Sequence, residues 1–137
     1  MNFEDSTFTR FTFTQQQIKR NFTNALRDFD IAKKDSILDV KFNYSYNALI
    51  KAGIALLSYY QVKVKSVPGH HVRIIEKMAE ILEDEMVDDV GNVMRSKRNI
   101  DFYGGGIEIT EKECNEYMRF VEDILKRIKD IVTSRTK

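Results

Sequence analysis

Little in this chain breaks a helix, and little advertises chemistry. Among 137 residues there is one proline, and there are six glycines, three of them consecutive. So few breakers predict long helices. Cys114 is the sole cysteine, which excludes an intramolecular disulfide and fits a reducing cytoplasm. No group of residues has metal-ligand spacing, so neither a metal nor a cofactor is expected. The longest apolar run, Ile54-Ala55-Leu56-Leu57, is far too short to cross a bilayer. The opening MNFEDSTFTR carries no apolar core of a secretory signal, and a cytoplasmic location is expected. Lys and Arg number 22 against 21 Asp and Glu, for a net charge of +1. That excludes a general cationic coat, so any anion site must be local.

What is present is helical periodicity. Residues 1–13 read as an irregular arm. Its segment TFTRFTFT (7–14) alternates as a strand does, but no partner strand is evident. The arm is expected to lay Phe8, Phe11 and Phe13 on the core or on a second subunit. Thr14-Gln15-Gln16-Gln17 is a capping-box pattern, and Ile18, Phe22, Ala25, Leu26, Phe29 and Ala32 continue one apolar face. A second helix is predicted over about 40–61, apolar over so much of its girth that it should be central. Gly53 in its middle costs up to about 1 kcal/mol against alanine, which implies close approach of a neighbouring helix.

A basic linker, KVKSVPGHH, leads through Pro68 to a third helix, with Val72, Ile75, Met78, Ala79 and Leu82 inward. The acidic stretch EDEMVDD (83–89) caps or opens a fourth helix, which continues through Val90, Val93 and Met94 into RSKRNIDFYGGG (95–106). Gly104, Gly105 and Gly106 should end it. A second capping box, Thr110 to Glu113, starts a fifth helix in which Cys114 is expected to be a small core residue. The prediction is one all-α domain: an up-and-down bundle of four or five helices over 14–137.

Three places invite a chemical reading. The triple glycine is no phosphate loop of the GxxxxGK[ST] kind, because no lysine follows it and no strand precedes it. His70 and His71 are adjacent, so on a helix they point about 100° apart and do not chelate one ion together. They are either solvated turn residues or a pair of donors beside an anion site. The third place is 95–103. Its cations can simply complement the carbonyl end of a helix that begins with Glu85, Asp88 and Asp89, with Arg98 pairing Asp101. Alternatively, Arg95, Arg98, Asn99 and Tyr103 can hold a phosphodiester, because guanidinium gives planar bidentate donors and Asn99 and Tyr103 share a face.

The order of helices, the GHH that opens the third, and RSKRNIDFY at the end of the fourth resemble the HEPN domain (higher eukaryotes and prokaryotes nucleotide-binding) over residues 14–132. In that family an Arg followed by a polar residue precedes a His by four to six positions, and two protomers bring this motif to a shared cleft. Arg98-Asn99 matches the start. Tyr103 stands where the His is expected, and Gly105 stands where many members have an aromatic. The resemblance implies catalytic roles for Arg98, Asn99 and Tyr103, and phosphate contacts from Arg95, Arg98, Asn99, His70 and His71. Read from Arg95, the same window reaches Asp101, again without a His.

Active HEPN members are metal-independent ribonucleases, and many are toxins paired with an antitoxin, often a small nucleotidyltransferase. The resemblance therefore implies an RNA- or nucleotide-acting, toxin-like homodimer with a degenerate site. A non-catalytic nucleotide-binding or partner module and a purely structural helical dimer are the alternatives. Helix two or the Phe-rich arm is expected at the dimer interface. A phenol near pKa 10 is a weak base at neutral pH, so binding can outlive cleavage. His70 or His71 can restore the imidazole if the third helix starts beside the end of the fourth. Short-loop antiparallel helices are expected to oppose that unless a second protomer closes the gap.

Overall fold

Local signals place the helices. The Thr14 hydroxyl accepts from Gln17 N–H at 3.1 Å while the Gln17 side chain accepts from Thr14 N–H at 2.8 Å. The Thr110–Glu113 box closes in the same way, at 3.0 Å both ways. In the computed structural model, which describes residues 5–104 and 108–134, with side chains at 5–100 and 108–134, these boxes start α1 (Gln15–Lys34) and α5 (Glu111–Val132). Between them run α2 (Leu38–Tyr59), α3 (His70–Leu82) and α4 (Glu85–Gly104). The result is an all-α helical bundle, with two three-residue strands beside it.

Those strands correct the reading of the N-terminal arm. β1 (Phe8–Arg10) has a partner after all: β2 (Val62–Val64), antiparallel, with Phe8 opposite Val64 and Arg10 opposite Val62. The partner is three residues long and lies at the head of the basic linker, too short to show a period. Phe8 and Val62 are buried, whereas Phe11 is exposed under the Lys63 ammonium, which lies 5.0 Å from its ring centroid. Gln61, left-handed at φ 63, ties the arm down: its side chain accepts from Phe13 N–H at 2.7 Å.

α2 is the central helix, buried over most of its length and packed against α1, α5 and α3. Its face toward α1 meets one buried carboxylate, Asp28 of α1, held by Lys51 Nζ at 2.7 Å. A charge taken from water needs such a partner. Two positions on the expected apolar faces are instead exposed, Leu26 and Val93. Pro68 lies in the turn before α3, which starts at His70 with Gly69 as its N-cap at φ 79.

The packing of α3 rests on two glycines. A Cβ at Gly53 of α2 would fall 2.6 Å from both Ile74 Cγ2 and Met78 Sδ, and one at Gly91 of α4 would fall 2.8 Å from Ile75 Cγ2. Atoms cannot pack so closely, so α3 sits against two bare stretches of backbone. The glycine predicted to admit a neighbour does so.

The turn from α3 to α4 is tight. Glu83 caps α3 in the left-handed region at φ 54, Asp84 accepts from Met86 N–H at 3.0 Å, and Arg127 of α5 donates to Asp84 Oδ2 at 2.9 Å and Leu82 O at 3.2 Å. A left-handed conformation suits glycine better than glutamate. Glu83→Gly is therefore expected to raise unfolding stability by about 0.5–1 kcal/mol, because the side chain is exposed and the strain is relieved. Urea unfolding checks it, and reduced stability would show that Glu83 makes an interaction worth more than the strain.

Candidate functional site

His71 lies 12 residues before Glu83, and Arg95 lies 12 after it. In a hairpin of two helices joined at that turn, the two positions come level. The antiparallel α3–α4 pair therefore brings the start of α3 to the later half of α4 within a single chain. This corrects the expectation that a short loop opposes the meeting and that a second protomer is needed. Antiparallel neighbours juxtapose the two ends that lie farthest from their shared loop.

The two histidines separate by one helical step. His70 turns back, its Nδ1 donating to Val67 O at 2.9 Å, which anchors the turn before α3. His71 points inward and makes a 2.9 Å hydrogen bond through Nδ1 to the hydroxyl of Tyr46 on α2. The two imidazoles remain together, ring centroids 4.6 Å apart. Tyr46 is fully buried beneath this pair, and the Arg98 guanidinium carbon lies 5.8 Å from its ring centroid. Arg95, one turn earlier, donates from Nε to Asn92 Oδ1 at 3.2 Å, and Asn92 in turn donates to Asp88 O at 2.9 Å.

The electrostatics of this cluster are distinctive. Burial pushes the Tyr46 phenol up to about 12, against the opposing pull of Arg98 and Arg95. Burial pushes His71 the other way, down to about 4, and the charges of His70, Arg98 and Arg95 act in the same direction. At neutral pH the phenol keeps its proton and the imidazole is neutral. With the phenol donating to Nδ1, the ring hydrogen sits on Nε2, and His71 becomes a fixed donor. A neutral donor and two guanidiniums in one place suit a phosphate oxygen. They suit base catalysis poorly, because a base works best when it titrates near the operating pH.

Of the residues singled out in the sequence, Arg95, Arg98, His70 and His71 come together at this end of the hairpin. Asn99 is half-buried, one residue on from Arg98 on the same helix. The backbone at Asp101 and Tyr103 is the last turn of α4, but their side chains, like Gly105 and Gly106 as a whole, lie outside the described residues. Sequence reasoning does not find Tyr46. It reads as one apolar residue of a buried stripe, and the only hint is that a buried phenol needs a hydrogen-bond partner.

At the far end of the same hairpin the charge reverses. Glu76, Glu80, Glu83, Asp84, Glu85, Asp88 and Asp89 line an open acidic depression, so the α3–α4 unit is polarised along its length. No cluster of His, Cys, Asp and Glu able to hold a metal occurs among the described residues, and no described helix is long and apolar enough to cross a membrane. Set against protein-family models, curated proteins and solved structures, the chain gives no match.

Proposed function

We propose that the chain binds RNA or a nucleotide by its phosphate, and that the grip is the end of the α3–α4 hairpin. Arg95 and Arg98 supply charge and bidentate geometry, and His71 supplies a neutral donor fixed by Tyr46. Asn99 adds an amide beside them. The observation that carries this reading is the convergence of both arginines on the Tyr46–His71 pair. Two guanidiniums beside a half-buried imidazole help to hold that ring below its ordinary pKa, so the positive charge at this site comes from the arginines and an anion is what it attracts. The resemblance to HEPN domains supports the same ligand class. The depressed imidazole favours holding a phosphodiester over cutting it, so the binding-module reading stands ahead of the toxin-like ribonuclease.

The test is affinity for a short fluorescent single-stranded RNA across a salt series. Joint replacement Arg95→Ala and Arg98→Ala is expected to weaken binding about 10-fold or more and to lower the salt slope by about 0.7 for each phosphate that the variant no longer neutralises. Equal affinity and slope in the wild type and the double variant would remove the grip from this site. A parallel incubation of the RNA in EDTA reads cleavage. Cleavage by the wild type that Arg98→Ala abolishes would replace binding by metal-free ribonuclease activity as the function.

A further inference from the structure

The 21 acidic residues are unevenly placed along the chain, and none falls in 6–27 or in 40–75. Both strands, the linker KVKSVPGHH and the start of α3 thus belong to acid-free stretches of a chain whose net charge is only +1. Asp5, just outside them, pairs with Arg73. Here the β1–β2 ribbon has one face to spare. Phe11 N–H donates to Gln61 O at 3.1 Å and Lys65 N–H to Thr7 O at 2.7 Å, so pairing extends one residue past each end of the strands. Side chains alternate across a ribbon. Phe8, Val62 and Val64 face the core, while Thr9, Phe11, Lys63 and Lys65 take the opposite face.

Phe11 is 43% exposed, yet its ring is held in place. The Lys63 ammonium lies 5.0 Å from its centroid, and the Phe13 ring lies 4.7 Å away at 58°. A lone exposed aromatic is ordinary. One that is fixed between neighbours and flanked by two exposed lysines, in a stretch without acids, offers a stacking surface and phosphate contacts together. We propose that the outer face of the β1–β2 ribbon is a second contact for single-stranded RNA, where a base stacks on Phe11 and Lys63 and Lys65 take the flanking phosphates. Lysine is a flexible point charge, so Lys63 can leave the ring for a phosphate as the base arrives.

The ribbon is tethered to the phosphate grip. Lys65 precedes His70 by five residues, so their Cα atoms lie no more than about 18 Å apart. Two turns shorten that span: Val67 N–H donates to Lys65 O at 2.9 Å, and His70 N–H donates to Val67 O at 3.1 Å. A strand a few nucleotides long can reach both places. The ligand is then an unpaired RNA strand rather than a mononucleotide, a conclusion that rests on the phosphate grip at Arg95 and Arg98. The ribbon contact stands on its own residues. A duplex does not suit it, because a paired base is already stacked on both faces and has none to give to Phe11.

Phe11→Trp gives the chain its sole tryptophan, at an exposed position. Titration with a single-stranded RNA of about 12 nucleotides is expected to quench its fluorescence, as a stacked base does. Phe11→Ala is expected to weaken binding of the same strand about 10-fold, with helicity unchanged because the ring lies outside the core. Joint replacement Lys63→Ala and Lys65→Ala is expected to lower the salt slope by about 1.4, at about 0.7 for each of two phosphates. Double-stranded RNA of the same sequence should leave the tryptophan unquenched. An unquenched tryptophan with the single strand, or Phe11→Ala affinity equal to that of the wild type, would overturn the ribbon contact even where Arg95→Ala with Arg98→Ala weakens binding and the grip stands. Binding weakened by Phe11→Ala but not by the two arginine replacements would keep the ribbon and remove the grip. A duplex bound as tightly as the single strand, with equal quenching, would overturn the choice of an unpaired ligand.

Discussion

Gly53→Leu is expected to cost about 3 kcal/mol or more of unfolding stability, the upper end of what overpacking a core costs. The first added carbon already falls 2.6 Å from Ile74 Cγ2 and from Met78 Sδ. Met78 can swing its thioether away, but Ile74 is branched at Cβ and fixed on the buried face of α3. The helix must then move bodily. That movement has a second consequence, because the His71 ring reaches Tyr46 only while α3 lies against α2. On the proposed function, the variant is therefore expected to lose RNA affinity along with stability. Gly53→Ala separates the two effects in degree: its higher helix propensity, about 1 kcal/mol, offsets part of the clash. Urea unfolding of the two variants gives the order. A Leu variant as stable as the wild type would mean that α3 is not held at the distance described.

The second large effect concerns pH. His71 falls from 6.5 to about 4 on folding, through burial first and the charges of His70, Arg98 and Arg95 next. Above pH 6.5 the ring is neutral in both the folded and the unfolded chain, and the shift has no effect. Between pH 6.5 and about 4 the unfolded chain takes up a proton that the folded chain refuses, so stability falls as pH falls. At about 1.4 kcal/mol per pKa unit the limit is near 3 kcal/mol. Solvent screening of a half-exposed ring reduces the expected loss to roughly 1–2 kcal/mol.

His71→Gln keeps an acceptor for the Tyr46 hydroxyl and removes the titration. Its stability should stay nearly level from pH 7 to 5 while that of the wild type declines. The paired carboxylates act in a lower range. Asp5 is lowered by the Thr7 N–H and Arg73, Asp84 by Arg127, and Glu113 by the Thr110 N–H. Their contribution disappears only as pH falls through and below the ordinary carboxylate values. Parallel declines of wild type and His71→Gln across pH 7 to 5 would show that His71 is not the group responsible.

The sequence by itself determined the five helices and the starts of α1 and α5. Thr14 and Thr110 cap α1 and α5 because a capping box joins residues three apart, complete within its own segment. Gly53 signalled a close neighbour because its cost in helix propensity is also local. The buried place of Cys114 followed from the period of α5. Tertiary structure decided which faces meet, and with that the whole of the candidate site. β1 found β2 across more than fifty residues. His71 met Tyr46 and the arginines because the turn at Glu83 sets the register of α3 on α4, and Gly53 and Gly91 set their depth. Val93 belongs by period to a helix that must bury one face, yet it lies on the other. Periodicity reports that a helix has an apolar side; it does not report how many partners that side will find.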